Sequence, residues 1–385
     1  MTDAGLDAVI AFTNENITYI NTISPIFIND SGWLGTAMIV VPRKGEVVGI
    51  CSDFERPALE SEGTVPTWND FHMWIYIDDQ FIKSSGREGK NASQSFENDM
   101  SMTVLAECLR EKCIDHGKIG IEKKALQVPI WEDLKKTLPN ANFSDSGPLF
   151  YNARYIKTPY EIECLRHAAE SQETILFETM GEIGLGISHA DILRKLRSKA
   201  LGTLGIDKIR FMFVGIGKIY APCSVPYQIN VAHGDLIKFD GALVVRGYGG
   251  DCGRTFIAGK PSADQERIHR ILLSGHEEAL KLIRPGVKPK DVFEKAMKTV
   301  QDNGLPNYNR GHVGHSVGLD QTVEEPPFIS SYSENPIVPG NVFCLELPYY
   351  AYGFGSIQFE DMVLVTEDGH ELLTKSSKLL NPIGG

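Results

Sequence analysis

The sequence predicts an α/β protein in two parts, a small N-terminal α/β domain over residues 1–150 and a larger domain of helices and strands over residues 151–385. Three observations lead there. Strand-like and helix-like segments alternate through the first part, which implies a layered α/β unit. A break at 148–158 is followed by a well-marked helix start. The second part then runs helix, helix, strands and again helix, helix, strands, a duplication of elements without a matching sequence repeat.

In the first part, 36–41 is a short apolar β-rich run closed by Pro42, and 46–51 is a second, so the pair reads as a hairpin. Residues 98–115 carry helical periodicity through Met102, Leu105, Ala106 and Leu109, with Gly117 placed to cap the end. A short strand follows at 118–122, and the polar stretch 79–98 reads as a surface loop. In the second part, Thr158 is the expected N-cap of a helix, Pro159 enters its first turn and Glu161 completes a capping box. Ser188 with Asp191 marks the next helix start. Strands are expected at 209–214, 235–241 and 255–258, helices at 263–283 and 290–302, and further strands at 313–318, 341–346 and 357–365.

Composition narrows the function classes. The chain has 385 residues, 42% of them hydrophobic and 23% charged, ordinary values for a globular protein. Its formal net charge is −12 and it has no basic run, which argues against nucleic acid and against an anionic membrane as partners. No apolar stretch is long enough to span a bilayer, and the start lacks the pattern of a signal peptide. Seven scattered cysteines form no Cys-x-x-Cys pair, so free thiols in a reducing, cytoplasmic setting are expected.

Asp240, Asp251, His315, Glu346 and Glu360 each fall inside an apolar strand-like run. A buried carboxylate needs a cation or strong hydrogen bonds to offset its desolvation. Four carboxylates and one imidazole suit Mn²⁺, Fe²⁺, Co²⁺ or Zn²⁺, as one or two ions per subunit. Asp240 is expected to end one strand, with Asp251 in the next across a glycine-containing turn. His315 sits between Gly314 and Gly318, and Glu346 precedes Leu347-Pro348, where a strand must stop.

These residues resemble a known family. Gly234-Asp235-x4-Asp240-Gly241, followed by Tyr248-x2-Asp251-x2-Arg254-Thr255-Phe256, is similar to the signature of the M24 pita-bread metallopeptidases, which include prolidase, aminopeptidase P, methionine aminopeptidase and creatinase. The segments 314–320, 343–348 and 359–366 resemble that family's histidine, Glu-Pro and Glu-Asp motifs, and 5–10 with 14–19 resembles the start of its N-terminal domain. The gaps between the five positions, 11, 64, 31 and 14, are similar to those of prolidase-like members. The resemblance implies a C-terminal pita-bread domain, an α+β fold with a curved antiparallel sheet holding the site in its concavity. It implies that Asp240, Asp251, His315, Glu346 and Glu360 ligate metal, that Glu346 is a general base, and that the protein is a homodimer acting on a small molecule or short peptide.

The chain also departs from that pattern. Cys223, in Pro222-Cys223-Ser224-Val225-Pro226, and Thr322 stand where the peptidases carry two substrate-binding histidines. His233 and His312 are the candidates to replace them in space. Lys238, on the same strand face as Asp240, occupies a position that is aliphatic in the peptidases. Its ammonium would pair with a carboxylate and disfavour a second cation. Cys223 is thereby a candidate nucleophile at the substrate, whereas Cys252 and Cys344 are expected to turn away from the metal or sit as core thiols. Arg254 and Thr255 are expected to orient Asp251, and Tyr349, Tyr350, Tyr352 and Phe354 to line the pocket or pack as core. The reading that follows is a metal-dependent hydrolase cleaving an amide-like C–N bond of a small polar substrate, with Xaa-Pro dipeptides as the family default. The altered histidines point to a non-peptidase branch that resembles creatinase, ectoine hydrolase or dimethylsulfoniopropionate lyase. A non-catalytic binding protein on the same fold is the alternative from another class.

Overall fold

The computed structural model describes residues 1–75, 98–203, 205–206, 208–218, 228–319 and 322–384. The chain divides into two compact units, Met1–Ala153 and Arg154–Gly385. The expected loop at 79–98 lies, but for its last residue, outside the described residues, as does Cys223. No helix among the described residues is long and apolar enough to cross a membrane.

The first unit is a six-stranded mixed sheet with helices. Its elements are β1 (Ala8–Ala11), α1 (Asn14–Asn21), α2 (Ile26–Ser31), β2 (Ala37–Pro42), β3 (Val48–Ser52), α3 (Arg56–Glu62), β4 (Trp68–Phe71), α4 (Asn98–Glu111), β5 (Lys118–Ile121), α5 (Val128–Thr137) and β6 (Asn142–Asp145). The strand order is β4-β3-β2-β1-β5-β6, and β2 and β3 form the expected antiparallel hairpin. Alternate residues face opposite cores: Ile10, Met38, Val40 and Ile50 pack with Leu105, Leu109 and Leu134, whereas Val9, Ala11 and Ile39 pack with Ile17, Leu59 and Trp68. Both faces are therefore apolar, which is why these strands read as continuous hydrophobic runs. The buried Glu122 carboxylate closes the start of α1. It accepts from Phe12 N–H (2.6 Å), Thr13 N–H (3.1 Å), the Thr13 hydroxyl (2.6 Å) and the Asn16 amide.

Helix α6 (Gly147–Arg154) leads to the second unit, where α7 (Pro159–Glu182) and α8 (His189–Gly202) precede the strands β7 (Lys208–Ile216), β8 (Leu236–Val245), β9 (Tyr248–Gly249) and β10 (Cys252–Ile257). Then come α9 (Ala263–Leu280), α10 (Pro289–Asp302), β11 (His312–Ser316), β12 (Glu325–Ser330), β13 (Val342–Glu346), β14 (Tyr349–Ala351), β15 (Gly355–Ile357), β16 (Glu360–Val365), β17 (His370–Leu372) and β18 (Asn381–Pro382). Thr158 caps α7 with the full capping box, and Ser188 accepts from Asp191 N–H at the start of α8.

The main sheet runs β12-β11-β13-β16-β10-β8-β7 with antiparallel neighbours throughout. Helices α7 and α8 bury Leu176, Ile192 and Leu196 with Val214, Ile237 and Phe239 on one half of its back, while α9 and α10 bury Leu272, Val292 and Val300 with Phe343, Leu345 and Val363 on the other. Polar side chains of the opposite face are thus aligned on strands whose backs are pinned by apolar cores. Two expectations about the strands change. Asp240 is inside β8, which continues to Val245, because the apolar run Ala242–Val245 keeps pairing with β7 and β9. The run expected at 357–365 is two strands, β15 and β16, with Gln358 and Phe359 between them.

Candidate metal centre

Strand pairing brings the expected residues to one face. Asp240 on β8 and Glu360 on β16 both lie opposite Gly253 of the intervening β10, Glu346 on β13 lies opposite Glu360, and His315 on β11 lies opposite Cys344 on β13. Cross-strand partners share a face. Gly253 has no side chain to fill the space between the two carboxylates, and a Cβ there would stand 2.8 Å from the Gln358 amide nitrogen.

Asp251, His315, Cys344 and Glu360 are all buried, and each offers a donor atom within 4.8 Å of every other. His315 Nε2 lies 3.8 Å from Asp251 Oδ2 and 3.6 Å from Glu360 Oε1, while its Nδ1 lies 3.0 Å from the Ser316 carbonyl oxygen. That carbonyl can only accept, so Nδ1 carries a proton and Nε2 is left to meet either a proton or a cation. Asp251 Oδ1 is buried with no hydrogen-bond partner among the described residues. Carboxylate, imidazole and thiol donors converging on one point, with one oxygen lacking a partner, fit a divalent cation.

The electrostatics point the same way. Burial pushes the Asp251 carboxyl well above its ordinary range, and Glu360, Asp240 and Glu346 push it further. Burial and the charges of Glu346 and Asp240 raise Glu360 to about 7, against the lowering effect of His315. Burial lowers the His315 imidazole, but the hydrogen bond and charge of Glu360, with Glu346, outweigh it and hold the group at about 9. Burial and the same carboxylates raise the Cys344 thiol. The pocket gathers more negative charge than its neighbours offset, and a proton on His315 supplies part of the missing positive charge.

The two remaining carboxylates have cations of their own. Lys238 is fully buried, and its ammonium donates to Asp240 Oδ2 at 2.8 Å and stands 5.6 Å from the centre of the Tyr350 ring. Arg310 Nη2 donates to Glu346 Oε1 at 2.8 Å, and His312 Nδ1 lies 3.8 Å from the same oxygen. Burial lowers the His312 imidazole despite the nearby Glu346 charge. Gln358 donates to Glu360 Oε2 at 3.0 Å and accepts from the Tyr350 hydroxyl at 3.2 Å. Beside this group opens a cavity of about 550 Å³ lined by Asn307, Tyr308, Asn309, Arg310, Tyr349 and Tyr350 among others.

Several expectations are corrected. Cys344 faces the donors, because it is two residues from Glu346 on one strand and so shares its face. Arg254 does not orient Asp251. It lies one residue from Gly253, hence on the back of the sheet, and donates to the Glu360 carbonyl (2.6 Å), Asp361 Oδ1 (2.7 Å) and Glu173 Oε1 (3.1 Å). Asp361 also accepts from Lys378 (2.7 Å) and the Thr374 hydroxyl (3.0 Å). Burial alone would raise its carboxyl, but Arg254, His276 and Lys378 hold it far below the usual range. Thr255 bonds Gln358 in both directions, its hydroxyl donating to the carbonyl (2.9 Å) and accepting from the N–H (2.8 Å), and so fixes the side chain that holds Glu360.

Thr322 is exposed, and its hydroxyl donates to the Glu324 carbonyl at 3.1 Å. The pairing of β11 with β12 slips between His315 and Ser316, in the segment after His315 that carries the altered motif. Of the two alternative histidines, His312 joins the site and His233 is exposed elsewhere. Tyr350 and Tyr349 line the cavity and Tyr352 is largely exposed. Arg310 and Gln358 were not singled out from the sequence. Their roles depend on which strands pair, and no local motif announces that.

Comparisons with known proteins identify the family. The model of metallopeptidase family M24 matches residues 163–367, and that of the creatinase/prolidase N-terminal domain matches residues 1–156. The chain belongs to metallopeptidase family M24. Membership makes it a metallohydrolase of a family that binds divalent metals. It is 28% identical over 264 residues to an Xaa-Pro dipeptidase of Pyrococcus furiosus, covering 68% of this chain and 75% of that one. An Xaa-Pro dipeptidase of Lactobacillus delbrueckii is 25% identical over 279 residues, covering 72% and 75%. The crystal structure of the Pyrococcus horikoshii prolidase superposes with a TM-score of 0.81 at 23% identity, covering 99% of this chain and 97% of that one. The Thermotoga maritima X-Pro aminopeptidase gives 0.78 at 21% identity, covering 98% of each. The M24 pita-bread fold expected from the motifs is therefore the fold of this chain.

Proposed function

We propose that this M24 chain is a divalent-metal hydrolase that cleaves the amide-like C–N bond of a small polar substrate held in the 550 Å³ cavity lined by Arg310 and Tyr350. The observation that carries the reading is the buried cluster of Asp251, His315 and Glu360, with Asp251 Oδ1 lacking any partner among the described residues. These residues would hold Mn²⁺, Fe²⁺, Co²⁺ or Zn²⁺, with Asp240 and Glu346 completing the acidic ring. Such an ion, when bound, acidifies water and polarises a carbonyl.

The chain's own residues supply the rest. Glu346, held in place by Arg310, is the general base that takes a proton from the attacking water. His312, neutral because burial lowers it, stands beside Glu346 and can pass that proton to the leaving nitrogen. Arg310 and Tyr350 flank the cavity and orient polar groups of the substrate. The curated relatives named Xaa-Pro dipeptidases make Xaa-Pro dipeptides the first substrates to try. Cys223 and Thr322 in the histidine positions, with Thr322 exposed, favour a substrate that needs less carbonyl binding from that rim.

The test is a panel of Gly-Pro, Ala-Pro, non-proline dipeptides and small amides, assayed with protein reloaded in turn with each of the four metals. Turnover is expected with at least one metal, lost with chelator, and reduced at least ~10²-fold in Glu346→Gln. Metal-loaded protein that cleaves no C–N bond in the panel would refute the assignment.

A further inference from the structure

We propose that this centre holds a single ion, that the Cys344 thiolate is one of its ligands, and that the buried Lys238 ammonium and the half-buried Arg310 guanidinium occupy the charge positions a second ion would need. The inference rests on the metal-hydrolase reading above and specifies its donors. It assigns the site to a borderline, thiol-tolerant cation of the Zn²⁺, Co²⁺ or Fe²⁺ type in preference to Mn²⁺ or Mg²⁺.

Geometry supports Cys344. Its Sγ belongs to the four-donor group with Asp251, His315 and Glu360, whose atoms lie within 4.8 Å of one another. Tetrahedral bonds of ~2.0 Å to nitrogen or oxygen and ~2.3 Å to the one sulfur place donor atoms roughly 3.3–3.5 Å apart. His315 Nε2 is already 3.6 Å and 3.8 Å from its two carboxylate neighbours. The widest separation allowed here, 4.8 Å, leaves roughly 1.3–1.5 Å of contraction, within the reach of side-chain torsions. The register fixes the thiol on this face, since Cys344 lies directly opposite His315 on one side and Met362 on the other. Met362 Sδ in turn accepts from the Asp251 N–H at 3.3 Å.

Charge placement supports a single ion. Asp240 and Glu346, the two carboxylates outside the four-donor group, are the ones bonded at 2.8 Å by Lys238 and Arg310. Lys238 is 0% exposed, and its ammonium is bonded to Asp240 beside the Tyr350 ring. A dication on Asp240 would therefore stand against an ammonium already bonded to that carboxylate.

The experiment is Co²⁺ loading of the full chain, read by metal analysis after desalting and by near-ultraviolet absorption. One cobalt per chain with a thiolate-to-cobalt charge-transfer band is expected. Cys344→Ser is expected to keep cobalt, at about 10-fold or more weaker affinity, and to lose the band, while Cys252→Ser keeps it. Lys238→Met is expected to raise uptake towards two. One bound cobalt with no such band, or a band that survives Cys344→Ser, overturns the thiolate assignment while leaving the metal-hydrolase reading in place. Two cobalt ions in the wild type, or uptake still at one in Lys238→Met, overturns the role given to Lys238. A chain that takes up no divalent ion refutes the metal-hydrolase reading itself. The wild-type spectrum decides the thiolate question even where the cysteine variant does not fold.

Discussion

Asp251→Asn is expected to stabilise the metal-free protein and to abolish its stabilisation by metal. Asp251 shares its pocket with three other donors, all within 4.8 Å of one another. At an effective dielectric of ~20, two like charges 4.8 Å apart repel by about 3.5 kcal/mol, and a charged His315 at 3.8 Å returns about 4 kcal/mol. These two nearly cancel, and the further charges of Asp240 and Glu346 add to the desolvation of the carboxylate, which is the largest cause of its raised proton affinity. A carboxyl that holds its proton more tightly when folded than when unfolded destabilises the fold as pH rises above ~4. The isosteric amide removes that penalty, a gain of about 1–3 kcal/mol at pH 7.5 without metal. With roughly 2–4 °C per kcal/mol for a unit of this size, the apparent melting temperature should rise by several degrees in chelator. The wild type should gain about 2.7 kcal/mol when metal is supplied at ~100 times its Kd, and the variant almost nothing. The order of stability should therefore invert or close between chelator and metal. Calorimetry of both proteins in EDTA and in Zn²⁺ or Co²⁺ measures this directly. A variant that melts below the wild type in EDTA, or that keeps the full metal shift, would show that Asp251 is held by contacts other than a cation.

Two further outcomes concern stability away from the centre. Glu122→Ala should destabilise the protein by about 3–5 kcal/mol, since it strips the Phe12 and Thr13 N–H groups of a buried charged acceptor; a urea midpoint unchanged within error would contradict the capping role. His189, whose imidazole lies 3.1 Å from the Val214 carbonyl, is lowered by burial, so the unfolded chain takes up its proton first and stability is lost as pH falls below ~6.5. His189→Gln should flatten that acid limb between pH 7.5 and 5.5 by up to about 1.4 kcal/mol per pH unit, measured as the difference in unfolding free energy at the two values.

Much of this architecture is legible in the chain because local rules and tertiary packing agree. The capping boxes of α7 and α9 are determined within four residues, and each strand bearing a donor has an apolar back that must face a helix layer. Short elements escaped. Tyr248–Gly249 and Gly355–Ile357 pair only because neighbouring strands present an edge to them. Trp68–Phe71 has two polar residues at its centre, yet pairs in parallel with β3 where Gly49 leaves room for the Trp68 ring. At the centre, Cys344 was readable in principle, since the alternation that turns Glu346 inward turns Cys344 inward too. Arg310 and Gln358 were not. Arg310 precedes β11 yet reaches Glu346 at the end of β13, and Gln358 gains its place through Thr255 across a neighbouring strand.

Arg254, on the reverse of the sheet, bonds the main-chain oxygen of Glu360 while Asp361 beside it is gripped by Arg254, Lys378 and Thr374. The strand that presents Glu360 is thus anchored by charges that never touch the pocket. If the front of the sheet takes an ion as proposed, side-chain rotations close the donors around it while the strand stays fixed, so exchange of that ion would be separable from unfolding. The proposed ion should therefore be replaceable by other thiol-tolerant cations while the backbone stays where it is.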